Sequence, residues 1–475
     1  MVSSEMFPPR GSGLPGHEEN PPSATWAPPG ELSTRWDWRP GKILLGRWQD
    51  RLIGDPDQER SDGSILPGDD RHVVTIAGSR AGKSRSVLVP NLRSYTGSAI
   101  VIDPKGELAL KTAQHRRALG HDVHVLDPFR TQGSGPDLGT YNPLDELDPV
   151  SDNFVDDIGQ VADALIVDNE RDSHWTDAAK TLLKAIIVYM FTIGSKRTLT
   201  RMRRILLGAE GNLNTKREDP QGNFFLRLSG TTSFDGLGAL LGRSFLSKTD
   251  RELSSILSVA IEQTTFLDSA PLEGVLQSSK LRLSALKGRP TTIYLCLPAS
   301  RLATHFRWLR VIVTLGLVRL EEDKTEVAHP VLFVLEEFAA LEYMRAIERA
   351  AAFMAGFSVR LWTVLQDLSQ LKKHYRDTWE TFVGNAGIVQ AFGNSDWTTL
   401  DYLSRQFGDT QLVQQQRVWT SASAMSVGDS GVREHFRDVR LIAPEEIARH
   451  FARETNRQLL YVPGRPPIYI ERLSE

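Results

Sequence analysis

The segment AGSRAGKS, Ala77 to Ser84, brings a lysine and a hydroxyl directly after a glycine and follows G-x-x-x-x-G-K-[ST], with Ala77 at the first glycine position. Small residues let backbone N–H groups approach anionic oxygens, so the spacing points to nucleotide phosphates. On this reading Ala77, Gly78, Ser79, Arg80, Ala81, Gly82, Lys83, Ser84 and Arg85 surround the nucleotide. Gly82 permits close approach, Lys83 reaches the β and γ phosphates, and the Ser84 hydroxyl holds Mg²⁺. The cofactors expected are ATP and Mg²⁺. An accidental Gly/Ser/Arg loop is the bland alternative. Against it, His72 to Ala77 reads as a strand and Lys83 onward as a helix, which aims the helix N-terminus at the same oxygens.

Such a loop needs a second element, an apolar strand ending in carboxylates that orient the metal and the attacking water. IVIDP ending at Asp103, VHVLDP ending at Asp127 and VLFVLEEF ending at Glu336 and Glu337 compete. Only the last supplies two adjacent acids. If both lie in the strand they point to opposite sides, which gives Glu336 the Mg²⁺ side and Glu337 the water. Solvated strand-end glutamates are the alternative. Asp103 is the runner-up, because DPKGE places Asp, Lys and Glu in a turn that either assists the site or caps a helix. VLQD ends a further strand, where Gln366 can sense the γ-phosphate or be an ordinary polar strand end.

The elements that must position these groups are short, continuously apolar runs: HVVTIA, SAIVIDP, DVHVLDP, TTIYLCLP, VLFVLEEF, VRLWTVLQD and IVQAFG. Runs of this kind suit strands buried on both faces. Helical stretches at Lys83 to Tyr95, His305 to Asp323 and Tyr343 to Ala355 lie between them, so an α/β fold with a doubly wound, mostly parallel sheet is expected. Residues 150–287 differ. Their apolar residues recur at three and four spacing, as in NFVDDIGQVADALI, HWTDAAKTLLKAIIVYMF and LSSILSVAIEQTTF, which marks a mostly helical insertion. The expected division is therefore a Pro/Gly-rich disordered tail over 1–36, the nucleotide-binding domain over 37–149 and 288–475, and the insertion between. Trp38 to Gly54 reads as an edge hairpin, Asp55 to Asp70 and Gly208 to Gly236 as polar loops, and the end of the chain as a helix, PEEIARHFARE, then a final strand, QLLYVPG.

Composition limits the partners. Fifty-six Lys plus Arg against fifty-nine Asp plus Glu give a net charge of −3 over 475 residues, so any DNA contact must be local rather than a polycationic footprint. The single Cys296 cannot form an intramolecular disulfide, no Cys/His cluster has zinc spacing, and a reducing cytoplasm fits. Leu182 to Gly194 and Val311 to Val318 fall short of the roughly 20 apolar residues that cross a bilayer. No transmembrane segment and no signal peptide is expected.

The ordered set AGSRAGKS, DPKGE, GHDVHVLDPF with YNPLDEL, the strand bearing Glu336 and Glu337, LWTVLQDLSQL and NAGIVQAFG resembles the type IV coupling proteins, the TraG-like ATPases of conjugation and type IV secretion, over about Ile43 to Pro467. The resemblance implies a RecA-like P-loop NTPase domain carrying an all-α insertion and a homo-hexameric ring that hydrolyses ATP between subunits. It implies as partners single-stranded DNA with its relaxase, or effector proteins, and the components of a secretion channel. It carries roles onto Gly82, Lys83 and Ser84 as the nucleotide loop, Glu337 as the catalytic carboxylate and Gln366 as the sensor. Three departures stand out. Glu336 occupies a position that is usually aspartate, Ala77 replaces a glycine, and the usual N-terminal membrane anchor is missing, which would place the protein in the cytoplasm or at the inner membrane through a partner.

Weaker signals are the basic runs Lys196 to Arg204 and Leu371 to Arg376, each a candidate DNA contact or a solvated helix face. Arg301, Arg345 and Arg349 are candidates for an arginine reaching a neighbour's γ-phosphate, and His174 with Trp175 starts a helix. Two rivals remain: a nucleotide-gated docking platform with little hydrolysis, and a chromosome-partitioning DNA pump, against which DPKGE and LQDLSQL speak.

Overall fold

The computed structural model describes residues 24–473 except 33, 60–64, 67, 69, 132–137, 168–172, 214–221 and 419–430. In chain order the strands are β1 (Leu44–Trp48), β2 (Arg51–Gly54), β3 (Gln58–Glu59), β4 (Ile65–Leu66), β5 (His72–Ala77), β6 (Ala99–Asp103), β7 (Asp122–Leu126), β8 (Thr291–Cys296), β9 (Val331–Leu335), β10 (Val359–Leu365), β11 (Ala386–Phe392), β12 (Asp409–Val418), β13 (Gly431–Arg440), β14 (Arg457–Tyr461) and β15 (Ile468–Glu471). Eleven of them form one sheet in the order β2-β1-β15-β14-β11-β5-β10-β9-β6-β8-β7. From β11 to β7 every pairing is parallel, and the strands from β14 outward are antiparallel.

The apolar runs are continuous because alternate residues serve two cores. Val74, Ile76, Ile100, Ile102, Phe333 and Leu335 face one, and Val73, Ala77, Ala99, Val101, Leu332 and Val334 face the other. β7 departs from that expectation. It is the last strand of the sheet, its residues are half-buried up to Leu126, and beyond it the described residues supply only the Val125–Leu138 bridge. At the opposite edge, β1 and β2 form the expected hairpin.

Helices cover the sheet: α1 (Val89–Ser94), entered through a π turn over Ser84–Leu88, and α2 (Glu107–Ala118) precede β7. Between β7 and β8 lie α3 (Phe154–Leu165), α4 (Ser173–Thr192), α5 (Leu199–Leu206), α6 (Phe224–Ser229), α7 (Leu237–Leu246), α8 (Asp250–Gln263) and α9 (Ala270–Val275). α4 is their centre, buried continuously from Leu182 to Phe191 apart from Lys184, which is why that stretch is so apolar. Among the described residues no helix is long and apolar enough to cross a membrane. The remaining helices are α10 (Ala299–Glu322), α11 (Arg345–Phe353), α12 (Leu368–Tyr375), α13 (Glu380–Gly384), α14 (Trp397–Phe407) and α15 (Pro444–His450).

Three expectations are corrected, and one strand pair that the sequence did not announce is added. Residues 1–23 of the expected disordered tail lie outside the described residues, but Trp36 is fully buried, and Trp26 packs edge-on to Tyr469 with ring centroids 5.5 Å apart. Apolar side chains thus anchor the Pro/Gly-rich stretch from Ala24. Part of the polar loop over Gly208 to Gly236, of which residues 214–221 lie outside the described ones, is the helix α6. Asn223 caps it by accepting from the Phe225 N–H at 2.8 Å, and Phe224 and Phe225 are buried. The stretch from Gln411 belongs to β12, which pairs with β13 in a separate antiparallel ribbon. Finally, β14 is not the last strand, since β15 follows Pro466 and Pro467.

Candidate nucleotide site

Parallel strands leave their side-chain chemistry at their C-terminal ends, where α/β sheets bind ligands. Here the register puts Ile76 of β5 beside Leu365 of β10, Thr363 of β10 beside Leu335 of β9, and Ile102 of β6 beside Leu335. The residues that follow are Ala77–Ser84, Gln366, Glu336–Glu337 and Asp103. The sequence candidates from four separate segments therefore meet along one edge.

Ala77 is the last residue of β5 and fully buried, so its methyl belongs to the core rather than to the loop. The position that excludes a side chain is Gly78, where a Cβ would lie 2.0 Å from the Gly393 carbonyl. Ala at 77 is thus no obstacle to the turn. Arg80 and Gly82 take left-handed backbone at φ 57° and 91°, folding the loop back to the helix that starts with Ser84. Ser79, Arg80 and Arg85 are exposed, whereas Ala81 is buried.

The Ser84 hydroxyl donates to Glu336 Oε1 at 2.8 Å, and the Lys83 ammonium donates to the Ala77 carbonyl at 3.1 Å. Burial lowers the Lys83 pKa, opposed by the attraction of Glu337 and Glu336. Burial also raises that of Glu336, against the hydrogen bond from Ser84. A partly desolvated cation and a hydroxyl–carboxylate pair at a helix start are complementary to a phosphate and a cation.

The two glutamates do not alternate within a strand, because β9 ends at Leu335. Glu337 sits in the turn with left-handed backbone, φ 54° and ψ 44°, directly before the 3₁₀ turn over Phe338–Leu341. That bend turns it to β10, where Gln366 Nε2 donates to Glu337 Oε2 at 3.2 Å and Oε1 at 3.4 Å. Gln366 is itself fixed: its N–H donates to Gln370 Oε1, and its carbonyl accepts from Asn394 Nδ2, each at 3.2 Å. Gln370 lies inside the quoted segment LWTVLQDLSQL and Asn394 directly after NAGIVQAFG, but neither is singled out there by its residue type.

Asp103 accepts from the Ala109 N–H at 2.8 Å, so it tethers the start of α2, while its Oδ1 is buried without a hydrogen-bond partner among the described residues. Burial, with Glu336 nearby, pushes its carboxyl up to about 7. Asp127 instead binds the Thr131 N–H at 2.9 Å in the turn after β7.

The weaker candidates fall elsewhere. In the Lys196–Arg204 run, Arg203 grips Asp268 at 2.8 Å, Arg204 pairs with Glu273 at 2.7 Å, and Arg201 pairs with Glu210, so these cations are spent within α5's own surroundings. Lys372 lies over the Trp379 ring at 4.5 Å, and Leu371 and Tyr375 are buried. Arg301 covers Phe129 at 5.7 Å. Arg345 and Arg349, the latter paired with Glu321, line a cavity of about 250 Å³ between α3, α4, α10 and α11. His174 and Trp175 pack edge-on at 4.9 Å.

Residues 45–474 match the model of the family described as type IV secretory system conjugative DNA transfer. The chain is 26% identical over 462 residues to the conjugal transfer protein TraG of Escherichia coli, covering 90% of this chain and 69% of that one. It is 24% identical to the protein VirD4 of Rhizobium radiobacter, covering 87% of this chain and 58% of that one. Its fold matches that of the plasmid coupling protein TrwB, solved with ADP and Mg²⁺, at a TM-score of 0.64 and 13% identity, covering 95% of this chain and 93% of that one.

Proposed function

The chain belongs to the type IV secretory system conjugative DNA transfer family, and on that premise we propose that it is an ATP-driven coupling protein. It delivers DNA carried by a relaxase, or effector proteins, to a type IV secretion channel. The observation that carries the reading is the convergence of Lys83, Ser84, Glu336, Glu337 and Gln366 at one edge of the parallel strands.

Mg²⁺ and ATP held here would supply a γ-phosphoryl group polarised by the metal. The residues fit them. Ser84 and Glu336 offer two hard oxygens 2.8 Å apart, and Mg²⁺ is commonly held by one or two protein groups with phosphate and water completing the shell. Lys83 exchanges its bond to the Ala77 carbonyl for phosphate oxygens. Glu337 accepts the proton of the attacking water, and Gln366 holds that carboxylate in place while its own position is fixed by Asn394. The methylene that Glu336 adds over aspartate is accommodated because it already reaches the Ser84 hydroxyl.

In this reading six copies form a ring, single-stranded DNA passes through it, and the helices α3–α9 are the inserted domain, 150–287, that receives cargo. A membrane-bound partner of the secretion system holds the ring at the inner membrane. Displacement of streptavidin from end-biotinylated DNA tests translocation. ATP-dependent displacement that the Lys83→Ala variant lacks supports the motor; displacement independent of ATP contradicts it.

A further inference from the structure

Behind the phosphate loop, on the side packed against Phe392 and Gly393, lies a contact that none of the quoted motifs contains. Arg472, directly after β15, is 7% exposed, and its guanidinium serves three backbone carbonyls. Nη1 donates to the carbonyl of Ala81, and Nη2 donates to those of Arg453 at 2.8 Å and Thr455 at 2.6 Å. The guanidinium also stacks over Phe392, 4.8 Å from the ring centroid. The same loop is abutted by Gly393, whose N–H donates to the Phe451 carbonyl at 2.7 Å and where a Cβ would lie 2.7 Å from the Ala81 methyl.

These contacts have a direction. Ala81 precedes Gly82, and a peptide unit whose carbonyl is held to the rear presents the following N–H to the front. The rear support comes from the segment Phe451–Asn456 and from β15, which pair with each other through Arg472 N–H to the Asn456 carbonyl at 2.8 Å. A lysine cannot reproduce a planar fork that reaches three carbonyls.

We propose that Arg472 is a positioning residue for nucleotide binding: it fixes the Ala81–Gly82 peptide so that the loop's amide hydrogens face the phosphates before ATP arrives. The proposal rests on the nucleotide reading of that loop. Loss of the latch costs affinity, because the loop must then be ordered by the ligand itself.

The test is equilibrium titration of the full chain with a fluorescent ATP analogue and Mg²⁺, reading both Kd and the number of sites. Arg472→Met is expected to raise Kd about tenfold with the site number unchanged, and Arg472→Lys to fall between it and the wild type. Gly393→Ala leaves Arg472 in place yet drives a methyl onto Ala81, and it is expected to raise Kd as well. If Arg472→Met fails to fold by circular dichroism, Arg472→Lys and Gly393→Ala carry the decision. Wild-type Kd in the folded variants, with only fewer sites, would make the arginine merely structural and overturn the proposal. A wild type that binds no analogue overturns the nucleotide reading and this inference with it, whereas an unchanged Kd overturns the inference alone.

Discussion

Gln366 Nε2 lies 3.2 Å from Glu337 Oε2, joining the turns that leave two adjacent parallel strands, β9 and β10. The contact exists because Glu337 adopts left-handed backbone as the chain leaves the sheet. A glutamate continuing the strand would be directed by the pleat instead. The amide is therefore placed to orient the carboxylate proposed to accept the proton from water.

Replacing Glu337 with Gln removes that acceptor and keeps the shape. The expected result is nucleotide affinity within about twofold of wild type and turnover lower by roughly 10²–10³-fold. Gln366→Ala should lower turnover less, roughly 10-fold, with affinity again preserved. Single-turnover phosphate release beside a binding titration separates the two quantities.

Glu336 and Ser84 make a different prediction. Glu336→Ala should shrink the gain in nucleotide affinity that Mg²⁺ confers and leave metal-free binding near wild type, because it removes one of the two oxygens proposed to hold the cation. Titration of a labelled nucleotide with Mg²⁺ and with chelator reads this directly. Equal losses in both conditions would place Glu336 outside the metal site.

Asp103 gives a pH dependence. Its carboxyl is raised to about 7 by burial, so between its unfolded value near 3.8 and 7 the folded protein binds more protons than the unfolded chain. Its contribution to stability is therefore present at low pH and lost as pH rises toward 7. Asp103→Asn removes the ionisation and keeps an acceptor for the Ala109 N–H. The difference in unfolding free energy, variant minus wild type, should grow in favour of the variant from pH 5 to pH 8 by at most about 3 kcal/mol, since only the span from 5 to 7 lies below the raised value. A constant difference across that range would show that Asp103 does not titrate there.

The hairpin edge is fastened by Arg360 and Asp55, 2.8 Å apart and 2% and 0% exposed at the side chain. Asp55 also accepts from the Ile43 N–H at 2.8 Å. Removing one partner leaves a buried charge, so Asp55→Ala should cost about 3–5 kcal/mol in urea unfolding. The double replacement Asp55→Ala with Arg360→Met should cost less than the sum of the two.

The sequence made the parallel strands and the phosphate loop legible, because a strand buried on both faces is a continuous apolar run and the loop's glycines and lysine have fixed spacing. Glu336, Glu337 and Gln366 were legible as strand-end polar groups, although the alternation argument for the two glutamates does not hold once β9 is seen to end at Leu335. What stayed hidden was non-local or unpatterned. Arg472 reaches the loop across 391 residues of sequence, and Asn394 looks like any loop asparagine. Likewise Gly393 is required by Gly78 and Ala81, which only the packed sheet brings next to it.

The central claim is that this edge of the sheet hydrolyses ATP to move DNA. Steady-state ATP hydrolysis by the purified chain with Mg²⁺, alone and with single- or double-stranded DNA, tests it most directly beside Lys83→Ala. Turnover that DNA stimulates and that the lysine variant loses is the expected result. Nucleotide binding without turnover under every DNA condition would contradict it, and would leave a nucleotide-gated docking platform as the reading that the same residues support.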